Sequence, residues 1–232
     1  MATATNLSGE ALTQIMTWLS PSFPVGAYSY SHGLENAVDQ GKVKCRETAR
    51  EWIGFLLSDG AGRSDAILFH EAYAAVSSAD PKRLMECLEW AQSLRGTSEL
   101  ALESRAQGGA FIRALCAAWP FASRREWLDR LGPSPAYCVA VAAAMAFAGV
   151  GEHAALTAYL HATAANLVSA AVRLTPLGQS DGLRILANLA ETIPDLAKDA
   201  ISRSLDDVGS SAVMADLCSM KHETQYTRLF RS

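Results

Sequence analysis

Apolar residues recur along this chain at intervals of three and four, and no stretch alternates convincingly for the length of a strand. Leu12, Ile15, Met16 and Leu19 form one such stripe, and Leu84, Leu88, Ala91 and Leu94 another; that spacing puts side chains on one face of an α-helix. The polar residues between stripes read as helix punctuation. Ser8 can cap a first helix that stops at Ser20-Pro21, because proline disfavours helical backbone in the residue before it. Gly41 follows a helix whose last turn holds Ala37 and Val38. Asp80-Pro81 supplies a capping side chain and a proline at the first helical position, and Ser134-Pro135 repeats the pair. Ser123 and Glu126 have the spacing of a capping box, and Gly132 closes the helix they open.

These signals predict an all-α chain of about ten helices joined by short turns. The candidate segments are 9–19, 30–40, 46–58, 64–78, 81–95, 98–118, 124–131, 135–149, 152–174, 181–192, 195–204 and 211–223. Segments 135–149 and 152–174 are apolar on nearly all sides, which places them at the centre of a bundle with the more amphipathic helices round them. No repeat of solenoid length recurs, and no Gly/Ser-rich or Pro-rich linker divides the chain. Residues 1–232 are therefore read as a single helical domain.

Composition narrows the function classes. Half of the 232 residues are hydrophobic and 19% are charged, enough apolar mass for a sizeable core. A net charge of −4 gives no reason to expect nucleic acid or an anionic membrane. The apolar run from Ala136 to Val150 falls short of the roughly 20 residues of a membrane span, and Glu152 closes it. Met1 to Glu10 lacks the basic and apolar regions of a secretory signal, and Cys45, Cys87, Cys116, Cys138 and Cys218 form no Cys-x-x-Cys pair. The expectation is a cytoplasmic protein with neither a disulfide framework nor a zinc ribbon.

No familiar catalytic pattern is present: no phosphate loop, no Gly-x-Ser-x-Gly elbow, no His-Glu-x-x-His pair. Gly149, Gly151 and Ala154 fit Gly-x-Gly-x-x-Ala but follow a helical pattern instead of a strand, so they read as a helix–helix turn. Among the five histidines, His161 sits in an apolar helix and reads as a core residue. Cys218 and His222, four apart, are weak metal candidates, a two-ligand site at most. No tightly bound cofactor is expected.

Two segments exceed what packing alone requires. Ser20 to Glu35 carries two prolines and a glycine and then Tyr28, Tyr30 and His32 in quick succession, a braced loop with amphipathic rings suited to contact. The tail Met220 to Ser232 ends the chain with Tyr226, Arg228, Leu229, Phe230 and Arg231, apolar anchors beside guanidinium forks. It reads as a segment that orders on a partner, with Val213, Leu217 and Met220 packing the helix before it.

Together these segments resemble the UreF family of urease accessory proteins, through Phe23-Pro24-Val25-Gly26-Ala27-Tyr28, Ser31-His32-Gly33-Leu34-Glu35, the turn Pro176-Leu177-Gly178-Gln179-Ser180-Asp181-Gly182 and the closing His222-Glu223-Thr224-Gln225-Tyr226-Thr227-Arg228-Leu229-Phe230-Arg231-Ser232. The resemblance implies an all-helical homodimer, not itself an enzyme, that assembles with the accessory protein UreD (also called UreH), the GTPase UreG and the urease apoprotein. Nickel is then handled by the complex, and GTP and magnesium sit on the partner GTPase. It further implies partner contacts at Phe23, Pro24, Gly26, Tyr28, Tyr30 and Glu35, at Pro176, Gln179, Asp181 and Gly182, and at Tyr226, Arg228, Leu229 and Phe230. Two other classes stay open: a helical metalloenzyme built from residues such as His32, Glu35 and Glu223, and a ligand-binding regulator with a pocket in the apolar centre.

Overall fold

The capping residues act at the atoms their chemistry requires. Ser8 Oγ accepts the Ala11 amide at 3.1 Å and opens α1 (Gly9–Trp18). Asp80 Oδ1 accepts the amides of Lys82 and Arg83, both at 3.0 Å, at the head of α5 (Pro81–Ser93). The structure, a computed structural model, describes residues 7–119 and 125–232. Between α1 and α5 lie α2 (Leu34–Asp39), α3 (Arg46–Ser58) and α4 (Ala61–Ser77); after them come α6 (Ser98–Ala118), α7 (Arg125–Leu131), α8 (Tyr137–Phe147), α9 (Glu152–Leu174), α10 (Gln179–Ile201) and α11 (Val213–His222). Short 3-10 turns occupy Ala27–Ser29 and Leu205–Asp207, and no strand occurs among the described residues. The all-α reading holds.

Three of the expected boundaries do not. The helix read at 30–40 starts only at Leu34, because His32 and Gly33 take left-handed φ values of 54° and 75° that no α-helix continues through. Ser134 caps nothing: α8 begins at Tyr137 with Ala136 at its N-cap and no side-chain bond. Segments 181–192 and 195–204 are one helix, α10, running through Pro194. Its buried stripe of Ile185, Leu189, Ile193, Ala197 and Ala200 keeps step across the proline, and that burial outweighs the roughly 3 kcal/mol a mid-helix proline costs. Ser123 lies outside the described residues.

Of the two apolar segments α8 forms the centre, while α9 is buried along one side only, and His161, read as a core residue, stands exposed on it. Every residue of α8 from Cys138 to Met145 is buried, with α4 and α6 against it. α9 lies along α10 and touches α2, α3, α4 and α8. By length and composition α9 could cross a bilayer, yet half of its most apolar window is buried inside the fold. The turn between α8 and α9 is fixed from α4: Tyr73 donates its hydroxyl to Val150 O at 2.6 Å, and His70 meets Glu152 at 2.6 Å. This is a packed helix–helix turn with Gly149 at φ 68°, as the sequence pattern indicated.

Glycine sets one approach that shapes the site described next. A Cβ at Gly33 would stand 2.7 Å from Ser219 N, so only glycine lets the start of α2 lie against α11.

Candidate functional site

The tail beyond α11 folds back on its own chain, and three buried carboxylates hold it. Glu35 lies in the first turn of α2; Glu99 and Glu103 are one helical turn apart on α6, with Gln107 the next turn along. Glu35 Oε1 accepts the Leu229 amide at 2.6 Å, and Oε2 accepts the Phe230 amide at 2.9 Å. Glu99 Oε1 accepts Arg228 Nη1 at 3.0 Å. Glu103 accepts the Ser232 hydroxyl at 2.7 Å, the Gln107 amide at 2.8 Å and His32 Nε2 at 2.8 Å. Burying a carboxylate is costly unless donors surround it, and each of these carboxylates is met by donors from the tail and from histidine or amide side chains.

Neighbouring contacts complete the seat. Ser31 donates both its amide, at 2.9 Å, and its hydroxyl to Ser232 O. Arg231 N–H reaches Ser29 O at 2.8 Å, and Asn36 donates to Gln225 Oε1 at 2.9 Å. Phe230 is buried, with the Arg173 guanidinium 4.3 Å from its ring centroid. The same Arg173 donates to Tyr28 O at 2.7 Å. One arginine at the end of α9 therefore joins the proline loop to the tail.

This changes the reading of the candidate contacts. The tail is docked on its own domain. Phe23 meets Phe111 ring to ring at 5.3 Å and lies near Trp119, and Phe23, Tyr30, Glu35 and Phe230 are all buried within the chain. Tyr28 and Tyr226 are 71% and 103% exposed and Leu229 is 65% exposed, while Arg228 is partly exposed beside them. Pro24 is exposed and Gly26 supplies the left-handed φ of 74° that enters the 3-10 turn. In the second turn, Pro176 and Gln179 are exposed, Asp181 pairs with Arg184 at 3.1 Å, and Gly182 is buried against Val172.

α11 also turns a different face inward from the one its apolar spacing indicated. Val213, Met214, Leu217 and Met220 are exposed, and Ala215, Cys218, Ser219 and His222 are buried. The close approach at Gly33 admits small side chains and excludes the bulky ones. His222 Nδ1 lies 2.8 Å from Glu99 Oε2 and Nε2 3.0 Å from Glu35 Oε2. The two carboxylates sit on opposite edges of the ring, so one cation cannot be ligated by both and the ring together. No group of three or more His, Cys, Asp or Glu able to hold a metal occurs among the described residues, and Cys218 with His222 makes no ligand set. The metalloenzyme trio is likewise dispersed: His32 pairs with Glu103, Glu35 with the tail, and Glu223 accepts the Ser98 hydroxyl at 2.6 Å.

Beside Glu103 lies a small cavity of ≈ 40 Å³ lined by His32, Asp65, Arg95, Tyr137 and Tyr159 among others. Asp65 binds Arg95 at 2.6 Å and accepts the Tyr159 hydroxyl at 3.2 Å. Burial, with Asp65 adding to it, pushes the Cys138 thiol and the Tyr159 phenol well above their usual range, so neither is an activated nucleophile. For His32, burial works against the imidazolium, but the Glu103 charge and hydrogen bond outweigh it and raise the pKa above 6.5. Stability from this pair is thus full below pH 6.5 and is lost as pH rises through the folded value. His32→Gln is expected to flatten the fall in melting temperature above that pH, read by thermal scans in a pH series; an unchanged slope refutes the assignment.

The comparisons with known proteins come to the same place. The family model described as UreF matches residues 43–190. A protein of Magnetococcus marinus is 46% identical over 226 residues, covering 96% of this chain and 98% of its own length. One from Rhodopseudomonas palustris (strain BisA53) is 46% identical over 222 residues, covering 96% and 93%, and one from strain HaA2 is 44% identical over 234 residues, covering 100% and 99%. Each bears the name "Urease accessory protein UreF".

The chain belongs to the UreF family.

The stretch matched by the UreF model runs from just before α3 into α10, so it contains Glu99, Glu103 and Arg173 but neither the proline loop nor the tail. Those residues are the ones that sequence reasoning missed. Glu99, Glu103 and Gln107 recur every four positions on α6, a spacing ordinarily seen on a solvated face; only the fold shows that this face is covered. Arg173 carries no local signal, because its partners lie at positions 28 and 230.

Proposed function

We propose that this UreF-family chain is a non-catalytic scaffold of urease maturation. It works as a cytoplasmic homodimer that joins a UreD/UreH-type protein and the GTPase UreG, delivers nickel to the urease apoprotein as cargo, and regulates GTP hydrolysis on the partner, which holds the GTP and magnesium. The observation that carries this reading is the surface made where Arg173 ties loop to tail. Tyr28 and Leu229 stand exposed on these two segments, with Tyr226 and Arg228 on the same tail. Such rings and a guanidinium are the side chains enriched at interface centres, and the internal bonds hold them in place before any partner arrives, which lowers the entropy cost of binding.

Tyr28→Ala tests it. Only the backbone carbonyl of Tyr28 holds Arg173, so the melting temperature should stay put. Loss of an anchoring interface aromatic is commonly worth about 2 kcal/mol, which is roughly a 30-fold weaker complex. Co-purification with the UreD/UreH-type and GTPase partners reads the change. A complex of undiminished affinity removes Tyr28 from the surface.

A further inference from the structure

Residues 228–232 sit in their seat as a bound peptide does, with inward and outward side chains in alternation. Arg228 reaches Glu99 Oε1 at 3.0 Å, Phe230 is buried under the Arg173 guanidinium, and the Ser232 hydroxyl meets Glu103 at 2.7 Å. Leu229 and Arg231, between them, stand exposed. The backbone is gripped along the same stretch. It bends at Leu229 and Phe230, which turns two successive amides onto the Glu35 carboxylate at 2.6 and 2.9 Å, the arrangement in which backbone N–H groups cup an anion. Ser29 O accepts the Arg231 amide, and Ser31 donates its amide and hydroxyl to Ser232 O. Backbone bonds of this kind hold a segment whatever its side chains are, and the side-chain subsites select among segments. Glu99 suits a guanidinium, the pocket under Arg173 an aromatic ring, and Glu103 a hydroxyl.

The connection from α11 is a short tether. Thr224 N–H reaches Lys221 O at 3.3 Å and Gln225 N–H reaches His222 O at 3.1 Å, and Tyr226 beyond them is fully exposed. α11 has a buried face of its own in Ala215, Cys218 and Ser219. The tail is therefore a ligand of the groove that happens to be attached to it. With Glu35, Glu99 and Glu103 on its floor, the groove favours a cationic segment over an acidic one. We propose that this groove, between α2, α6 and the end of α9, is a peptide-binding site that reads Arg-x-Phe-x-Ser, with residues 228–232 as its resident ligand, and that it takes the same motif from another polypeptide when the tail is out. The inference rests on the tail's seat alone and goes beyond the proposed assembly: it holds or fails whether or not the exposed Tyr28 and Tyr226 touch a partner.

A fluorescent peptide with the sequence of residues 224–232, titrated with the full chain and followed by anisotropy, tests it. In the wild type the resident tail competes at the high effective concentration that a short tether gives, so the peptide binds weakly. Phe230→Ala loosens the resident tail and leaves Glu35, Glu99, Glu103 and Arg173 in place. That chain is expected to bind the peptide saturably and at least about tenfold more tightly than the wild type does. Alanine in the peptide at the position of Arg228 or Phe230 should weaken binding by about tenfold or more, and at the position of Leu229 or Arg231 by no more than about twofold. No saturable binding by the Phe230→Ala chain, equal affinity for the two chains, or a loss that ignores the alternation overturns the proposal. Should Phe230→Ala fail to fold, hydrogen exchange of the Leu229 and Phe230 amides in the wild type decides. Millimolar unlabelled peptide must quicken it by capturing the vacated groove, and an unchanged rate overturns the proposal.

Discussion

Gly108→Ala is expected to lower the melting temperature by about 10 °C, although alanine is the better helix former. A Cβ at position 108 would lie 2.0 Å from Pro135 O and 3.0 Å from Pro135 C, backbone atoms that no rotamer change can move. Helix propensity alone would favour alanine by about 1 kcal/mol. Forcing α6 and α8 apart costs more, about 3 kcal/mol or above at the high end of overpacked cores, which for a chain of this size is a drop of roughly 2–4 °C per kcal/mol. The same displacement disturbs the seat of the tail, because Gln107 and Glu103 lie on the adjoining turn and Ser104 Oγ receives the Tyr137 amide at 3.2 Å. Gly9→Ala is the control: it sits in α1 with open space where its Cβ would go, and it should be neutral or slightly stabilising. A Gly108→Ala protein melting within about 2 °C of the parent would mean that the two helices have slack the contact distance denies.

That contact lies just where the linear pattern stops being informative. Punctuation that depends on neighbours in sequence was legible: Ser8, Asp80 and Pro81 act locally, and a cap does not need to know the fold. The apolar run of α8 was legible as the centre because a helix apolar on every side has no face to give to water; α9, with polar residues among its apolar ones, leaves His153, His161 and Ser169 exposed. The facing of a helix was less so. α1 buries Ala11, Ile15 and Trp18 while Leu12 and Met16 stand 45% and 66% exposed, since the large Trp18 ring, edge-on to Trp119 at 5.5 Å, decides which side turns in. Pro194 marked a break that the continuous buried stripe of α10 overrides. The tail's seat was hidden for a different reason. Its atoms come from positions 31–36, 99–107 and 222–232, and a glutamate in a helix has the same local signature whether it meets water or the backbone of a distant segment.

Glu35→Ala is expected to free the tail and to cost the protein the assembly proposed above, even though Glu35 itself is buried. One carboxylate accepts the Leu229 and Phe230 amides and faces His222 Nε2, so its removal leaves three donors without an acceptor. Breaking a buried charged contact from one side costs about 3–5 kcal/mol where the chain must stay as it is. Here the chain has an escape, for the tail can lift and solvate its amides, and the cost is capped at the free energy of docking. The expected outcome is thus a fall of about 5–10 °C in melting temperature together with early proteolysis at residues 224–232, not global unfolding. Cutting the chain before Thr224 belongs to the same class: it strips Glu35, Glu99 and Glu103 of tail donors, and so it cannot be the silent truncation that an unattached tail would allow. Glu35→Gln keeps an acceptor and the side-chain shape, and it should sit between the parent and the alanine variant. Pull-down with the proposed UreD/UreH-type and GTPase partners separates the two consequences. If Glu35→Ala loosens the tail and the complex still forms at parental affinity, the docked tail serves the fold alone, and the partner surface has to be sought at Tyr28 and the exposed face of α11.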